Sequence, residues 1–190
     1  MAKRESTFIN MVLTLFFVAA ISATTLGLMN EVTEEPIAAA KLKAKLEAVE
    51  KVVPEFDNDP STEMYILSSD LGDLECYPAK MGDILVGTAI SSITKKGFSG
   101  EIRIMVGLSP EGVIVNSSVL EHKETPGLGT KMVLPKFKDQ FMGKNPAEFK
   151  VKVKKDGGDI DAITAATISS RAFCDAIRRA YEAYMEGGQK

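Results

Sequence analysis

The chain has 190 residues, 45% hydrophobic and 26% charged, with a formal net charge of −3. That is long enough for one globular domain with its own core plus a short appendage, and too evenly composed for a disordered, fibrous or low-complexity protein. No basic patch or stripe offers a surface to nucleic acid, and two cysteines (Cys76, Cys174) with a single histidine (His122) cannot alone supply a four-cysteine iron–sulfur site or a Cys/His structural zinc site.

The first predicted element is a membrane span. Phe8 to Met29, FINMVLTLFFVAAISATTLGLM, holds no charged residue, and as a helix it would reach about 33 Å, enough for a hydrocarbon core. Lys3 and Arg4 precede it, and Glu31, Glu34 and Glu35 follow. The preference of Lys and Arg for the cytoplasmic side puts residues 1–7 inside and the chain from about residue 30 outside, on the periplasmic side of the inner membrane. Ala20–Ala23 also resembles the processing site of a cleaved leader, but the apolar run exceeds the ~7–15 residues of a leader core, which favours a retained single-pass anchor over 8–29. Both readings place the rest of the chain outside the cytoplasm.

Residues 30–60 read as a helical stalk or connector. In Glu35–Pro54, Pro36 suits a first-turn position, and Ile37, Leu42, Leu46, Val49 and Val53 form an approximately helical apolar stripe that Pro54 ends. The domain proper, 61–190, opens with strand-like patterns: EMYILSS, DILVGTAISSI, and EIRIMVGL with Ile102, Ile104, Val106 and Leu108 alternating. Ser109–Gly112 (SPEG) has turn chemistry and joins the last of these to VIVNSSVL as an antiparallel hairpin. Pro126, Gly127 and Gly129 make Glu121–Met132 a loop. A short helix is expected over about 135–142, and EFKVKVKK, with Phe149, Val151 and Val153 alternating, reads as one more strand before the turn Asp156–Gly158. The last helix buries Phe173, Ala176, Ile177, Ala180, Tyr181 and Tyr184 and sets Arg171, Asp175, Arg178, Arg179 and Glu182 on its other face, with Gly187 and Gly188 as stop signals. The fold class is α+β, an antiparallel sheet with flanking helices behind one transmembrane helix. Cys76 and Cys174 could pair outside the cytoplasm, but burial as small apolar residues is the favoured reading.

No Walker-type loop, GxGxxG, HExxH or GxSxG occurs. A hydrolase would have to use His122, which at a strand-to-loop edge reads as a solvated or capping residue. GFSG (Gly97–Gly100), after Lys95 and Lys96, could bring backbone amides to an anion, or be an ordinary turn. In ETPGLGT, two glycines flanking Leu128 let the backbone approach a flat ligand, with Glu124, Thr125 and Thr130 as polar contacts; a plain glycine-rich connection is the other reading. TAATISS (Thr164–Ser170) places four hydroxyls in seven residues just before the last helix. A helix N-cap needs one, and the others could hold an anion at the positive helix end.

The N-terminal anchor, the extracytoplasmic α+β domain, GFSG, HKETPGLG (His122–Gly129) and DAITAATISSRA (Asp161–Ala172), in this order, resemble the FMN-binding G subunit of the Rnf ion-translocating electron-transport complex. The C subunit of sodium-translocating NADH:quinone reductase looks like a close relative. The resemblance implies one covalent FMN per chain, joined by a phosphoester to Thr167 by a separate flavin transferase that uses FAD. Around it would stand Asp161, Thr164, Ala166, Ser169 and Ser170 of the motif, Glu124, Thr125, Gly127, Leu128 and Gly129 against the ring system, and Ser99 toward the tail or phosphate. Ala165 replaces the usual glycine, at a strain cost if the position needs positive φ and with a helix-propensity gain if it is helical. The implied function is electron transfer within a membrane complex that couples ferredoxin and NAD to Na+ or H+ translocation, with other membrane subunits as partners and no catalysis by this chain alone. The alternatives are the quinone-reductase C subunit and a flavin-free membrane-tethered binding or scaffold domain.

Overall fold

The computed structural model describes residues 7–69 and 72–187; Lys3, Arg4 and Gly188, used above, lie outside them. Helix α1 runs Phe8–Val52, with Pro36 inside it rather than opening a second helix. Proline there removes one backbone bond, yet the Ala, Lys, Leu and Glu that follow are strong formers, so the helix continues. The chain divides into two compact units, residues 1–43 and 44–190, and α1 contributes to both. In the first unit the helix is long and apolar enough to cross a membrane, and its apolar stretch buries nothing against protein.

The second unit is built on a five-stranded meander: β1 (Tyr65–Ser69), β2 (Gly72–Met81), β3 (Ile84–Gly97), β4 (Gly100–Leu108) and β5 (Ile114–His122), each antiparallel to the next. Short turns of 3-10 helix at Gly129–Val133 and Asp139–Phe141 flank α2 (Pro135–Lys138), and α3 spans Thr167–Gly187. The SPEG turn closes as expected, with Gly112 N–H donating to Ser109 O at 2.9 Å and Gly112 at φ +82°. Strand β2 escapes the sequence patterns because Pro78 and the charged Asp73, Glu75 and Lys80 interrupt its alternation; Pro78 is accommodated beside a register shift at Ala79/Lys80. The expected strand at 148–155 does not form. Val151 and Val153 do turn inward, but the backbone bonds within its own loop (Asp159 N–H to Lys150 O, 3.1 Å; Ile160 N–H to Lys152 O, 3.0 Å), leaving one isolated bridge between Val153 and Ile160.

Two cores share the sheet. On one face Leu74, Cys76, Ile90, Ile104, Val106 and Leu108 meet Ala172, Phe173, Ala176, Ile177 and Ala180 of α3. Phe137, Phe141 and Phe173 pack with centroids 5.3–5.6 Å apart, binding the α2 segment to α3. The other face carries Ala48, Val49, Val52 and Val53 at the end of α1 over Tyr77, Ala79, Ala89 and Met105. Cys76 and Cys174 are buried free thiols with no disulfide between them, and burial pushes both up to about 12, so they serve as apolar filling.

Asp175, expected on the polar face of the last helix, is instead 6% exposed. Its carboxylate accepts Thr94 Oγ1–H (2.8 Å), Lys96 Nζ–H (2.7 Å) and Arg178 (3.1 Å), while Ser92 Oγ–H donates to Ala176 O (2.7 Å), so β3 grips α3 through polar bonds. Burial works against the charged form of Asp175, but the bonds from Lys96 and Thr94 and the charges of Lys96 and Arg178 outweigh it and hold its pKa below the usual range. A carboxyl with a folded pKa below its unfolded value of about 3.9 contributes stability above that pH and loses it as pH falls through the folded value. Asp175→Asn is therefore expected to cost about 1–3 kcal/mol near neutral pH and to flatten the acid limb. Urea midpoints measured from neutral pH down through about pH 2 check this; a variant with an unchanged acid limb would count against it.

Candidate functional site

Three segments from separate parts of the sequence converge at one end of the sheet: the β3–β4 turn (97–100), the loop leaving β5 (123–130), and the start of α3. They enclose a cavity of about 320 Å3, within the ~300–1,000 Å3 range of small-ligand and cofactor sites. The loop supplies Glu124, Thr125, Leu128 and Gly129, the helix start Ala165 to Ser169, and the β3–β4 turn Phe98.

The loop takes its shape from a turn at Thr125–Leu128. Leu128 N–H donates to Thr125 O (3.2 Å) with Pro126 second and Gly127 third at φ +75°, and Thr130 Oγ1 accepts Gly127 N–H (2.9 Å). These are the residue preferences of a type II turn. Beyond it Gly129 is buried where a Cβ would stand 2.5 Å from Glu124 Oε2 and 2.6 Å from Ser169 Oγ. The glycine there makes room for the carboxylate and hydroxyl beside it.

Helix α3 begins at Thr167. Its first i→i−4 bond is Ser170 N–H to Ala166 O, 3.0 Å, so among the described residues the amides of Thr167, Ile168 and Ser169 are the unpaired donors of a helix N-terminus, the positive end of the dipole. The first turn holds no acidic side chain. The Thr167 side chain lines the cavity from this position, and none of the hydrogen bonds among the described residues engages its hydroxyl. Ala165, just before, is the one non-glycine residue with positive φ among the described residues, at +61°. The position that resembles a glycine site therefore has glycine's conformation, and alanine is strained in it. Strain of this kind belongs to places the surrounding structure over-determines. Ala165→Gly is expected to raise stability by about 0.5–1 kcal/mol, the relief of a left-handed alanine less the extra chain entropy of glycine. Thermal unfolding checks this, and a lower melting temperature would contradict it.

The four hydroxyls of TAATISS separate into distinct roles. Ser170 is fully buried, accepting Ile163 N–H (2.9 Å) and donating to Ala166 O (2.9 Å), so it closes the turn into α3 and does not line the cavity. Ser169 lines the cavity but donates to Glu124 Oε2 at 2.6 Å. Thr164 is exposed and, with Asp161, lines a second depression of about 530 Å3 shared with Lys131, Leu134, Lys136 and Gln140. Asp161 points outward to Lys154 (2.8 Å), and its backbone is clamped by Gln140, whose Oε1 accepts Asp161 N–H (2.8 Å). Of the motif, Ala166, Thr167 and Ser169 thus meet the loop residues Glu124, Thr125, Leu128 and Gly129. Gly127 shapes the turn from outside, and Ser99 reaches the site through its backbone N–H, which donates to Glu124 Oε1 (3.1 Å). His122 accepts Glu124 N–H on Nδ1 (3.2 Å), a capping role.

Two lining residues went unnoticed in the sequence. Phe98 is 66% and Ile168 45% exposed, and with Leu128 at 40% they give the mouth an apolar rim. Each sits beside a recognised motif residue, and an apolar side chain in a polar turn was the available signal. The chemistry of the donor set is apolar walls for a flat ring system and free helical amides for an anion.

Residues 97–182, from the last residue of β3 into α3, match the FMN-binding domain family, and every wall of the cavity lies within them. The fold and site therefore define an FMN-binding domain, here following an apolar N-terminal helix. The chain is 35% identical over 167 residues to the G subunit of the ion-translocating oxidoreductase complex of Cereibacter sphaeroides, covering 84% of this chain and 76% of that one. It is 32% identical over 185 residues to the G subunit of the Na(+)-translocating ferredoxin:NAD(+) oxidoreductase complex of Acetobacterium woodii, covering 90% and 89%. It belongs to this family of G subunits. Its fold is shared with the crystal structure of the C subunit of Na(+)-translocating NADH-quinone reductase from Parabacteroides distasonis, at a TM-score of 0.53, 20% identity and 72% of each chain.

The residues present fit FMN. The rim of Phe98, Leu128 and Ile168 and the glycine backbone at 129 suit a flat aromatic ring, and the amides at the start of α3 suit its phosphate.

Proposed function

We propose that the chain is a membrane-anchored electron carrier, one component of an Rnf-type complex that passes electrons between ferredoxin and NAD and couples this to Na+ or H+ translocation. FMN supplies the one- and two-electron chemistry when bound, and the chain sets its position, potential and access. The observation that carries the reading is Thr167: an uncommitted hydroxyl in the cavity, at the first turn of a 21-residue helix with three unpaired amides beside it. A phosphoester formed there from FAD by a flavin transferase, with release of AMP, would put the phosphate at the helix N-terminus. Covalent attachment suits a carrier on the outer face, where a dissociable cofactor is lost by dilution. Lys3 and Arg4 before the apolar run support an anchor over 8–29 with the N-terminus cytoplasmic and the domain periplasmic. The names of the relatives support other membrane subunits as partners.

The test is the intact mass and in-gel flavin fluorescence of the full chain produced with and without a flavin transferase. A gain of one FMN less one water, mapped to the peptide containing Thr167, is the expected result. An unmodified chain beside a labelled control substrate would overturn the reading and leave a flavin-free membrane-tethered domain.

A further inference from the structure

Glu124 is 5% exposed, and burying a carboxylate is costly unless its charge serves a purpose or is matched. Both of its oxygens are held by hydrogen bonds, Oε1 from Ser99 N–H at 3.1 Å and Oε2 from Ser169 Oγ–H at 2.6 Å. The sequence clears space for it twice. A Cβ on Gly129 would stand 2.5 Å from Oε2, and one on Gly97 would overlap Gly100 O and stand 2.8 Å from Oε1. Both donors are neutral, and none of the ion pairs among the described residues includes Glu124. A glutamine would tie the same turn, loop and helix together without desolvating a charge. What a glutamine lacks is the negative charge, and Glu124 lines the cavity.

We propose that Glu124 is a positioning residue whose buried, hydrogen-bonded carboxylate holds the reduction potential of this site's FMN low. The inference rests on FMN occupying this cavity. A flavin held in this cavity would gain negative charge on reduction, and the Glu124 carboxylate, as a fixed negative charge in the cavity wall, would oppose that gain. Ser99 N–H and Ser169 Oγ–H spread the charge and fix its place, and Gly97 and Gly129 give it room.

The experiment is redox titration of the full chain, flavinylated and solubilised in detergent, with flavin content measured first. Glu124→Gln is expected to raise the midpoint potential by at least a tenfold change in the oxidised-to-reduced equilibrium, about 30 mV for a two-electron couple. Glu124→Asp, which keeps the charge, stays nearer the wild type. Ser169→Ala leaves the carboxylate in place with one donor fewer and is expected to shift the potential the opposite way, which keeps the test open should Glu124→Gln fail to accumulate. Equal potentials in wild type and Glu124→Gln, equal shifts in the Gln and Asp variants, or no shift in Ser169→Ala would overturn the proposal. Absence of FMN from the wild type would instead overturn the reading on which it rests.

Discussion

Thr167→Ala is expected to give a folded chain with no covalently held flavin, while Thr164→Ala retains full labelling. Thr167 is half-buried and its hydroxyl enters none of the hydrogen bonds among the described residues, so alanine there breaks no internal hydrogen bond. Alanine is also the better helix former, which keeps the stability change within about 0.5 kcal/mol. What disappears is the nucleophilic oxygen at the helix N-terminus. Thr167→Ser keeps that oxygen and is expected to restore labelling in part. Thr164 opens into the other depression, away from Glu124 and Leu128. Ser170→Ala is the contrasting case: its hydroxyl bonds Ile163 N–H and Ala166 O in the buried turn, so it should cost stability of about 1–2 kcal/mol, as loss of a cap does. Intact mass and flavin fluorescence separate the two effects from thermal unfolding. Labelled Thr167→Ala protein would move the attachment site elsewhere in the motif.

How much of this was legible in the sequence depends on the range of the interactions. The apolar helix, the hairpin at SPEG, α2 and α3 were readable because each declares itself within a few residues, by hydropathy, turn chemistry or period. The motif loop and the glycine loop were readable as candidates for the same reason. Which of their side chains meet was not. Ser169 and Ser170 are adjacent and chemically identical, yet one bonds a carboxylate 45 positions away and the other its own turn. Asp175 carries the period of an exposed residue and is buried because Thr94 and Lys96 wait for it on β3. The alternation at Phe149, Val151 and Val153 does report inward-facing side chains, but a strand also needs a partner edge, and the loop satisfies its own backbone. Position 165 was the one place where a departure from a pattern posed a sharp alternative, and φ +61° resolves it in favour of strain.

Gly107→Ala is expected to be the most destabilising single methyl in the domain, at about 3 kcal/mol. Gly107 lies in β4 opposite Ala89 and Asn116, and the last turn of α1 sits directly on it: an added Cβ would overlap the carbonyl oxygen of Val52 and stand 2.5 Å from its carbonyl carbon. The obstacle is backbone, so no rotamer change can relieve it, and the end of α1 must lift. That end holds the second core, with Val49 and Val52 almost wholly buried over Tyr77, Ala79, Ala89 and Met105. It is also fixed by Asn116 Nδ2–H donating to Lys51 O at 2.9 Å, which occupies one of the open carbonyls of a helix C-terminus. Overpacking of this kind costs about 1–3 kcal/mol where side chains can adjust, and here they cannot. For a domain of this size each kcal/mol lowers the melting temperature by roughly 2–4 °C, so a fall of about 6–12 °C is expected in the full chain. Asn116→Ala, which removes only the hydrogen bond, should cost about 1 kcal/mol. The ordering of the two separates seating of the helix end from its capping: an unchanged melting temperature in Gly107→Ala would mean that the end of α1 does not rest on β4.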